Sequence, residues 1–148
     1  MILLDTNIIS ELMRSSPHES VAQWLSHQPL AHLWISSITV TEILYGLERI
    51  PEGRRKQLMF LEFNQLVGKG FYENMKVFDY AAAVIAAQIR AAREAQGRPM
   101  SMADAQIAAI ARVHGFALAT RNTKDFEHCG LTLINPFLTD SQTDLVEA

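Results

Sequence analysis

The stretch MILLDTN, residues 1–7, places a short apolar run directly before a polar turn. A run of Ile and Leu of this length is typical of a buried strand, and Asp-Thr-Asn is a typical start of a helix. Further predicted strands at 33–35, 76–78, 116–119 and 131–134 are separated by segments with helical spacing. Apolar strands that alternate with helices indicate a three-layer α/β/α sandwich around a mainly parallel sheet.

Helical spacing of apolar residues predicts six helices, and a short turn or helix near 124–128. Their predicted ranges are about 7–13, 19–26, 40–49, 54–67, 80–96 and 102–114. The sequence is predicted to form one domain over residues 1–137, followed by a mobile tail at 138–148.

The composition is that of an ordinary folded domain, with 148 residues, 49% hydrophobic and 20% charged. The net charge of −3 argues against a protein that grips nucleic-acid phosphates by charge alone. Nucleic-acid contact is therefore expected to be local or metal-assisted. The basic cluster at 54–56 fits a solvated helix face; so do Arg90, Arg93 and Arg98, which are also weak candidates for a substrate groove.

Cys129 is the single cysteine, which excludes an intramolecular disulfide and a cysteine zinc site. The five histidines show no paired metal-binding spacing, so none is assigned a catalytic role. The sequence has no leader pattern and no apolar segment near the ~20 residues that span a bilayer. A cytoplasmic protein with no membrane partner is expected.

Four acidic residues lie where strands or loops give way to helices, namely Asp5, Glu42, Asp104 and Asp125. Carboxylates held within a few ångströms repel one another and raise one another's pKa unless a cation lies among them. If these four converge, they form a divalent-metal site.

Helix capping is an alternative explanation for each of these acids. Thr39-x-x-Glu42 and Ser101-x-x-Asp104 match the capping-box pattern, Asp5 can cap the first helix, and Asp125 can lie in a first turn. Capping and metal binding can also occur at the same helix terminus, so both explanations stay open.

The topology of a parallel sheet brings three of the acids to one edge. The carboxyl ends of parallel strands form a ligand crevice, and Asp5, Glu42 and Asp125 each follow a predicted strand. Asp104 begins a helix that leads into a strand, and simple βαβ geometry is expected to run that helix the other way. Geometry alone therefore leaves Asp104 unplaced.

Motifs spread over nearly the whole chain resemble those of the PIN-domain ribonucleases, and most of all toxins of the VapC and FitB type. The segments that carry the resemblance are 1–7, 37–46 (Ser-x-Thr-x-x-Glu, then Tyr-Gly), 102–108, 119–126 and 134–136.

The resemblance implies that Asp5, Glu42 and Asp104 form the acidic core of a Mg²⁺ or Mn²⁺ site. Many members carry a fourth acid after the Thr-Arg pair. Here Asn122 occupies the first candidate position and Asp125 is the nearby acid. The remaining implied site residues are Thr6 and Thr120, which would orient carboxylates or water, and Arg121, which would contact phosphate or form a surface ion pair.

The implied function is a metal-dependent endoribonuclease that acts as the toxin of a toxin–antitoxin pair. The implied partners are RNA, a cognate antitoxin and a second copy of the chain, with DNA reached only through the antitoxin. The alternative is a catalytically weakened module that binds nucleic acid or antitoxin, suggested by the neutral Asn122. A phosphatase is disfavoured because Asn7 stands where such enzymes usually need a second acid.

Overall fold

The computed structural model describes residues 1–138 and the backbone of residues 146–147. Six α-helices lie within these residues, and a π-type turn at Val67–Phe71 extends the fourth. The helices are α1 (Thr6–Leu12), α2 (Glu19–Ser26), α3 (Ser37–Glu48), α4 (Arg54–Leu66), α5 (Tyr80–Ala95) and α6 (Met102–His114).

The described strands form one sheet. They are β1 (Ile2–Leu4), β2 (Leu33–Ser36), β3 (Met75–Lys76), β4 (Ala117–Ala119), β5 (Thr132–Ile134) and β6 (Val146–Glu147). Their spatial order is β3-β2-β1-β4-β5-β6. The pairings from β3 to β5 are parallel, and β6 pairs antiparallel with β5.

The two faces of the sheet carry separate apolar cores, because successive strand side chains point to opposite faces. Leu3 of β1 packs into the core formed with α5 and α6. Its neighbour Leu4 packs into the core formed with α1, α3 and α4. Both leucines are fully buried, so β1 is the centre of the three layers.

Helix α6 is apolar on nearly all sides, and six of its residues between 105 and 111 are buried. Four of those six are alanines, which allow α5 to pack closely against it. Gly115 ends the helix with φ +68°, a left-handed conformation that favours glycine. The chain then enters β4 after a single residue, Phe116, so the carboxyl end of α6 meets the amino end of β4.

The predicted three-layer α/β/α fold with a mainly parallel sheet is confirmed, and helix and strand boundaries differ from the predicted ones by at most three residues. The predicted tail at 138–148 is a different case. Residues 139–145 and 148 lie outside the described residues, whereas Val146–Glu147 pairs with β5 as an edge strand that sequence periodicity did not predict. In the part of the chain that the structure describes, no helix is both long and apolar enough to cross a bilayer.

Candidate acidic site at the carboxyl edge of the sheet

Asp5 lies at the centre of the site, at the end of β1 and at the N-cap of α1. Its side chain is 5% exposed and accepts three hydrogen bonds. The Thr6 amide donates to Oδ1 at 2.8 Å, while the Thr120 hydroxyl at 2.8 Å and Asn7 Nδ2 at 3.3 Å donate to Oδ2. These donors fix the orientation of the carboxylate on both oxygens.

Burial raises the pKa of Asp5 to about 6. The hydrogen bonds from Thr120 and Thr6 oppose this rise, while the charges of Asp104 and Glu42 add to it. The rise means that folding leaves the ionised carboxylate less stable than it is in water. The two other predicted metal-site acids therefore lie within electrostatic range of Asp5.

A chain of hydroxyl groups holds Glu42, which is exposed on α3. The Thr6 hydroxyl donates to Glu42 Oε1 at 2.7 Å and lies 3.2 Å from the Thr39 hydroxyl. The Ser36 hydroxyl donates in turn to Thr39 at 3.4 Å. Because each hydroxyl has one proton, the donors run in one direction from Ser36 through Thr39 and Thr6 to the Glu42 carboxylate. We call these four side chains the hydroxyl relay.

Asp104 lies in the first turn of α6, and its backbone amide donates to the Ser101 hydroxyl at 3.1 Å. The expectation that α6 runs away from the site is wrong. A helix that ends at the amino end of β4 must begin near the carboxyl edge of the sheet, where Asp5 lies. Burial raises the pKa of Asp104, and the charges of Asp125 and Glu42 raise it further, against the lowering effects of the Ser101 hydrogen bond and of Arg93.

Asp125 lies on the short 3₁₀ turn Thr123–Phe126, beyond β4, and Asn122 is the N-cap of that turn. Both are exposed, and the Asp125 amide donates to the Asn122 carbonyl at 3.0 Å. The carboxylate of Asp125 is the one whose charge acts on Asp104, while Asn122 is joined to the site through its amide, which donates to Thr120 Oγ1 at 3.0 Å. Of the two candidates for the fourth position, Asp125 is the one that adds negative charge.

Asn7 contacts the acidic site, although the sequence analysis did not predict it as a site residue. Its Nδ2 donates to both Asp5 and Thr120, and its Oδ1 accepts from the Arg121 amide at 3.2 Å. It therefore joins the start of α1 to the loop after β4. Its place two residues after Asp5, on the same helix start, was the available signal.

The basic residues considered for a substrate groove are mostly engaged elsewhere. Arg93 is buried and bonded to backbone carbonyls, so its assignment to an exposed groove is wrong. Arg98 pairs with Glu127, and Arg90 with Glu94. Arg121, in contrast, is exposed beside the acids, with its guanidinium carbon 4.7 Å from the centre of the Phe137 ring.

The capping alternatives separate once the helix starts are known. Asp5 and Ser101 are N-caps, so capping is correct at both positions. The proposed Thr39-x-x-Glu42 box is wrong, because Ser36 caps α3 and leaves Glu42 on the second turn, beside Thr6. The carboxylate of Asp104 is likewise not the group that caps α6.

The acidic side chains at this edge could bind a hard divalent cation, because such cations prefer carboxylate oxygens as ligands. The charges of Asp104 and Glu42 raise the pKa of Asp5, and the charge of Glu42 also raises the pKa of Asp104. Among the main influences on Asp104, the one positive charge is that of Arg93. Within residues 1–138 and 146–147, however, no three acidic, His or Cys side chains are spaced as a finished metal-ligand set. Joint coordination therefore requires side-chain rotation, most easily by the exposed Glu42 or Asp125.

A cleft of about 720 Å³ lies elsewhere, between the end of α1 and α4. Its lining includes Leu12, Arg14, Met59 and Lys69, and none of the four acids. The size of a cleft therefore does not identify the acidic edge of the sheet, where Asp5 lies.

The fold and the acidic edge define a class of protein. The family model of the PIN domain matches residues 2–130, and the chain belongs to that family. The resemblance predicted from the motifs is thus confirmed.

Individual relatives match nearly the whole chain. VapC ribonuclease Y4jK of Sinorhizobium fredii is 38% identical over 137 residues, covering 93% of this chain and 98% of its own. Toxin FitB of Neisseria gonorrhoeae is 36% identical over 137 residues, covering 93% and 99%. A structure of FitAB bound to an IR36 DNA fragment superposes with a TM-score of 0.88 at 36% identity, covering 95% of this chain and 98% of that one.

Proposed function

We propose that this chain is a divalent-metal-dependent endoribonuclease that hydrolyses RNA phosphodiester bonds and acts as the toxin of a toxin–antitoxin pair. The observation that carries the proposal is the group of acids around Asp5, whose mutual repulsion a hard cation would relieve. Membership of the PIN family and similarity to a VapC ribonuclease and to a toxin support it.

Asp5, Glu42 and Asp104 would hold the Mg²⁺ or Mn²⁺ ion, with Asp125 as the fourth acid. When bound, such an ion lowers the pKa of the attacking water and neutralises charge on the phosphate. Thr120 and Asn7 keep the Asp5 carboxylate in one orientation, so Asp5 itself needs little rearrangement when the ion binds. The hydroxyl relay holds only one oxygen of Glu42, and the rest of that exposed side chain would rotate to reach the ion.

Arg121 is the cation best placed to bind the RNA backbone. It is exposed, and Asn7 holds its backbone amide next to the acids. A guanidinium forms paired hydrogen bonds to phosphate, which suits the scissile or a neighbouring group. The net negative charge of the chain then matters little, because attraction of RNA is local.

The proposed partners follow from the same chemistry. A pocket of carboxylates that attracts Mg²⁺ also attracts guanidinium, so a cognate antitoxin can block it with an arginine. DNA would be reached through that antitoxin, as the DNA-bound FitAB complex suggests. Exposed apolar side chains at Val77, Tyr80 and Val84 favour a homodimer, and a reducing, cytoplasmic location remains a prediction.

The second candidate is a weakened module that binds nucleic acid or antitoxin without cleaving. The neutral Asn122 favours it, since that position lacks the charge of a fourth acid. Asp125 weighs against it, because its charge already acts on Asp104.

Incubation with labelled transfer, messenger and ribosomal RNAs tests the proposal. We expect cleavage in Mg²⁺ that stops on chelation and is lost in Asp5→Asn and Asp104→Asn, while Glu62→Gln, an exposed acid on α4, cleaves like the wild type. Folded Asp5→Asn and Asp104→Asn variants that both cleave normally would reject the site. A wild type that cleaves none of these RNAs but binds RNA would favour the module.

A further inference from the structure

Arg93, on the last turn of α5, is a buried charge that the proposed mechanism does not use. Its side chain is 4% exposed. In the described part of the chain, no carboxylate lies within ion-pair distance of its guanidinium. A buried cation is costly unless hydrogen bonds and nearby charges compensate it. The partners of this guanidinium therefore show what the residue does.

The guanidinium donates to three backbone carbonyls. Nε donates to the Arg98 carbonyl at 2.8 Å, and Nη1 donates to the carbonyls of Asp125, at 3.1 Å, and Glu127. A planar group with fixed donor directions thus joins the end of α5 to the segment after β4. An ion pair of 3.1 Å between Arg98 and Glu127 joins the same two parts of the chain.

The segment that Arg93 holds carries a candidate site residue. Asp125 gives its carbonyl to Arg93, while the charge of its exposed carboxylate acts on Asp104. The charge of Arg93 reaches Asp104 as well, with the opposite sign. Arg93 therefore holds the backbone of Asp125 and lies within electrostatic range of Asp104.

We propose that Arg93 is a positioning residue of the acidic site, which fixes the backbone of 125–127 so that the Asp125 carboxylate stays opposite Asp104. The inference rests on the proposed function and assigns to that site a residue that touches neither metal nor substrate. Lysine keeps the charge but offers a point donor in place of the planar fork, so it cannot reproduce the three carbonyl contacts.

The test compares Arg93→Lys with Arg112→Lys, a matched change at an exposed arginine beside Gly130. We measure the Kd for Mn²⁺ by calorimetry, kcat and KM for RNA cleavage, and hydrogen exchange of the Asp125 amide. In Arg93→Lys, Mn²⁺ affinity and kcat fall roughly tenfold or more, as for other residues that orient metal ligands, with KM nearly unchanged. The Asp125 amide exchanges faster, and Arg112→Lys behaves like the wild type.

A folded Arg93→Lys protein with wild-type Mn²⁺ affinity, kcat and Asp125 exchange overturns the proposal. The proposal also requires the effect to act through Asp125. It is therefore overturned if the double variant Arg93→Lys/Asp125→Asn binds Mn²⁺ tenfold more weakly than Asp125→Asn alone. If Arg93→Lys does not fold, Arg98→Gln, which removes the contact to Glu127, must weaken Mn²⁺ binding in the same direction, and unchanged affinity there is a refutation. A wild type that cleaves no RNA refutes the proposed function alone, since Asp125 exchange needs neither metal nor RNA.

Discussion

Asp5 combines a structural role at the start of α1 with a proposed role in the metal site. It caps α1, accepts three hydrogen bonds and still has its pKa raised to about 6, because burial and like charges outweigh the donors. Such a carboxylate reduces stability when it is ionised and no cation is near.

The raised pKa predicts how metal-free stability depends on pH. In the folded state Asp5 binds its proton up to about pH 6, whereas the ordinary value is 3.8. The contribution of protonated Asp5 to the free energy of unfolding is therefore fully present below about pH 4 and is lost as pH rises through about 6. When the pH is raised from about 5 to about 7.5 in the presence of chelator, the ionisation of Asp5 should lower the free energy of unfolding by about 1 kcal/mol.

Urea unfolding of the wild type and of Asp5→Asn at both pH values checks this. The wild type should lose about 1 kcal/mol more than the variant as pH rises, because asparagine does not titrate. Equal pH dependence in the two proteins would show that Asp5 ionises normally in the folded state.

The hydroxyl relay gives a second prediction for single residues. Thr39→Val preserves the shape of a fully buried side chain and removes the hydroxyl that donates to Thr6. The Thr6 hydroxyl, which donates to Glu42, is then no longer held by Thr39, so RNA cleavage should fall roughly tenfold while the loss in unfolding free energy stays at about 1 to 2 kcal/mol. Thr41→Val, on the exposed side of α3, is the control. Unchanged cleavage in Thr39→Val would remove the relay from the account.

The acids were predictable from sequence because strand ends and helix starts identify them, and the resemblance also pointed to Thr6 and Thr120, but two further residues around the site were not predictable. Asn7 and Arg93 act through contacts with residues about 114 and 32 positions away. Nothing local distinguishes a buried arginine on a helix from a solvated one. The roles of the predicted site residues themselves stay predictions until variants are measured.

At the scale of elements, α6 decides where the acids meet. Apolar spacing predicted its limits at 102–114, but the expected direction was wrong, because the prediction treated the helix apart from the strand that follows it. The two-residue connection to β4, Gly115 and Phe116, fixes that direction and brings Asp104 to the carboxyl edge.

The end of α6 supports a matched pair of glycine variants. Gly115→Ala should lower the free energy of unfolding by about 1 kcal/mol, because φ is +68° although a Cβ meets no atom within 4 Å. Gly46→Ala, within α3 and equally unobstructed, should raise it by about 0.5 to 1 kcal/mol. Thermal or urea unfolding measures both, and a stabilising Gly115→Ala would contradict the left-handed cap.

At the scale of the whole molecule, alternating strands and helices predicted the layers correctly, since each of these elements must bury an apolar face. The edge strand β6 was missed because two residues carry no periodicity. Strand order and the two cores depend on contacts between distant segments, which a pattern along the chain does not record.

The central claim is that one edge of the sheet gathers Asp5, Glu42 and Asp104 into a cation site. Calorimetric titration of the chelator-treated protein with Mn²⁺ tests it most directly. We predict saturable binding by the wild type that is lost in Asp104→Asn and in Asp5→Asn and retained in Glu62→Gln. Absence of binding at millimolar Mn²⁺, or equal binding by all four proteins, would contradict it.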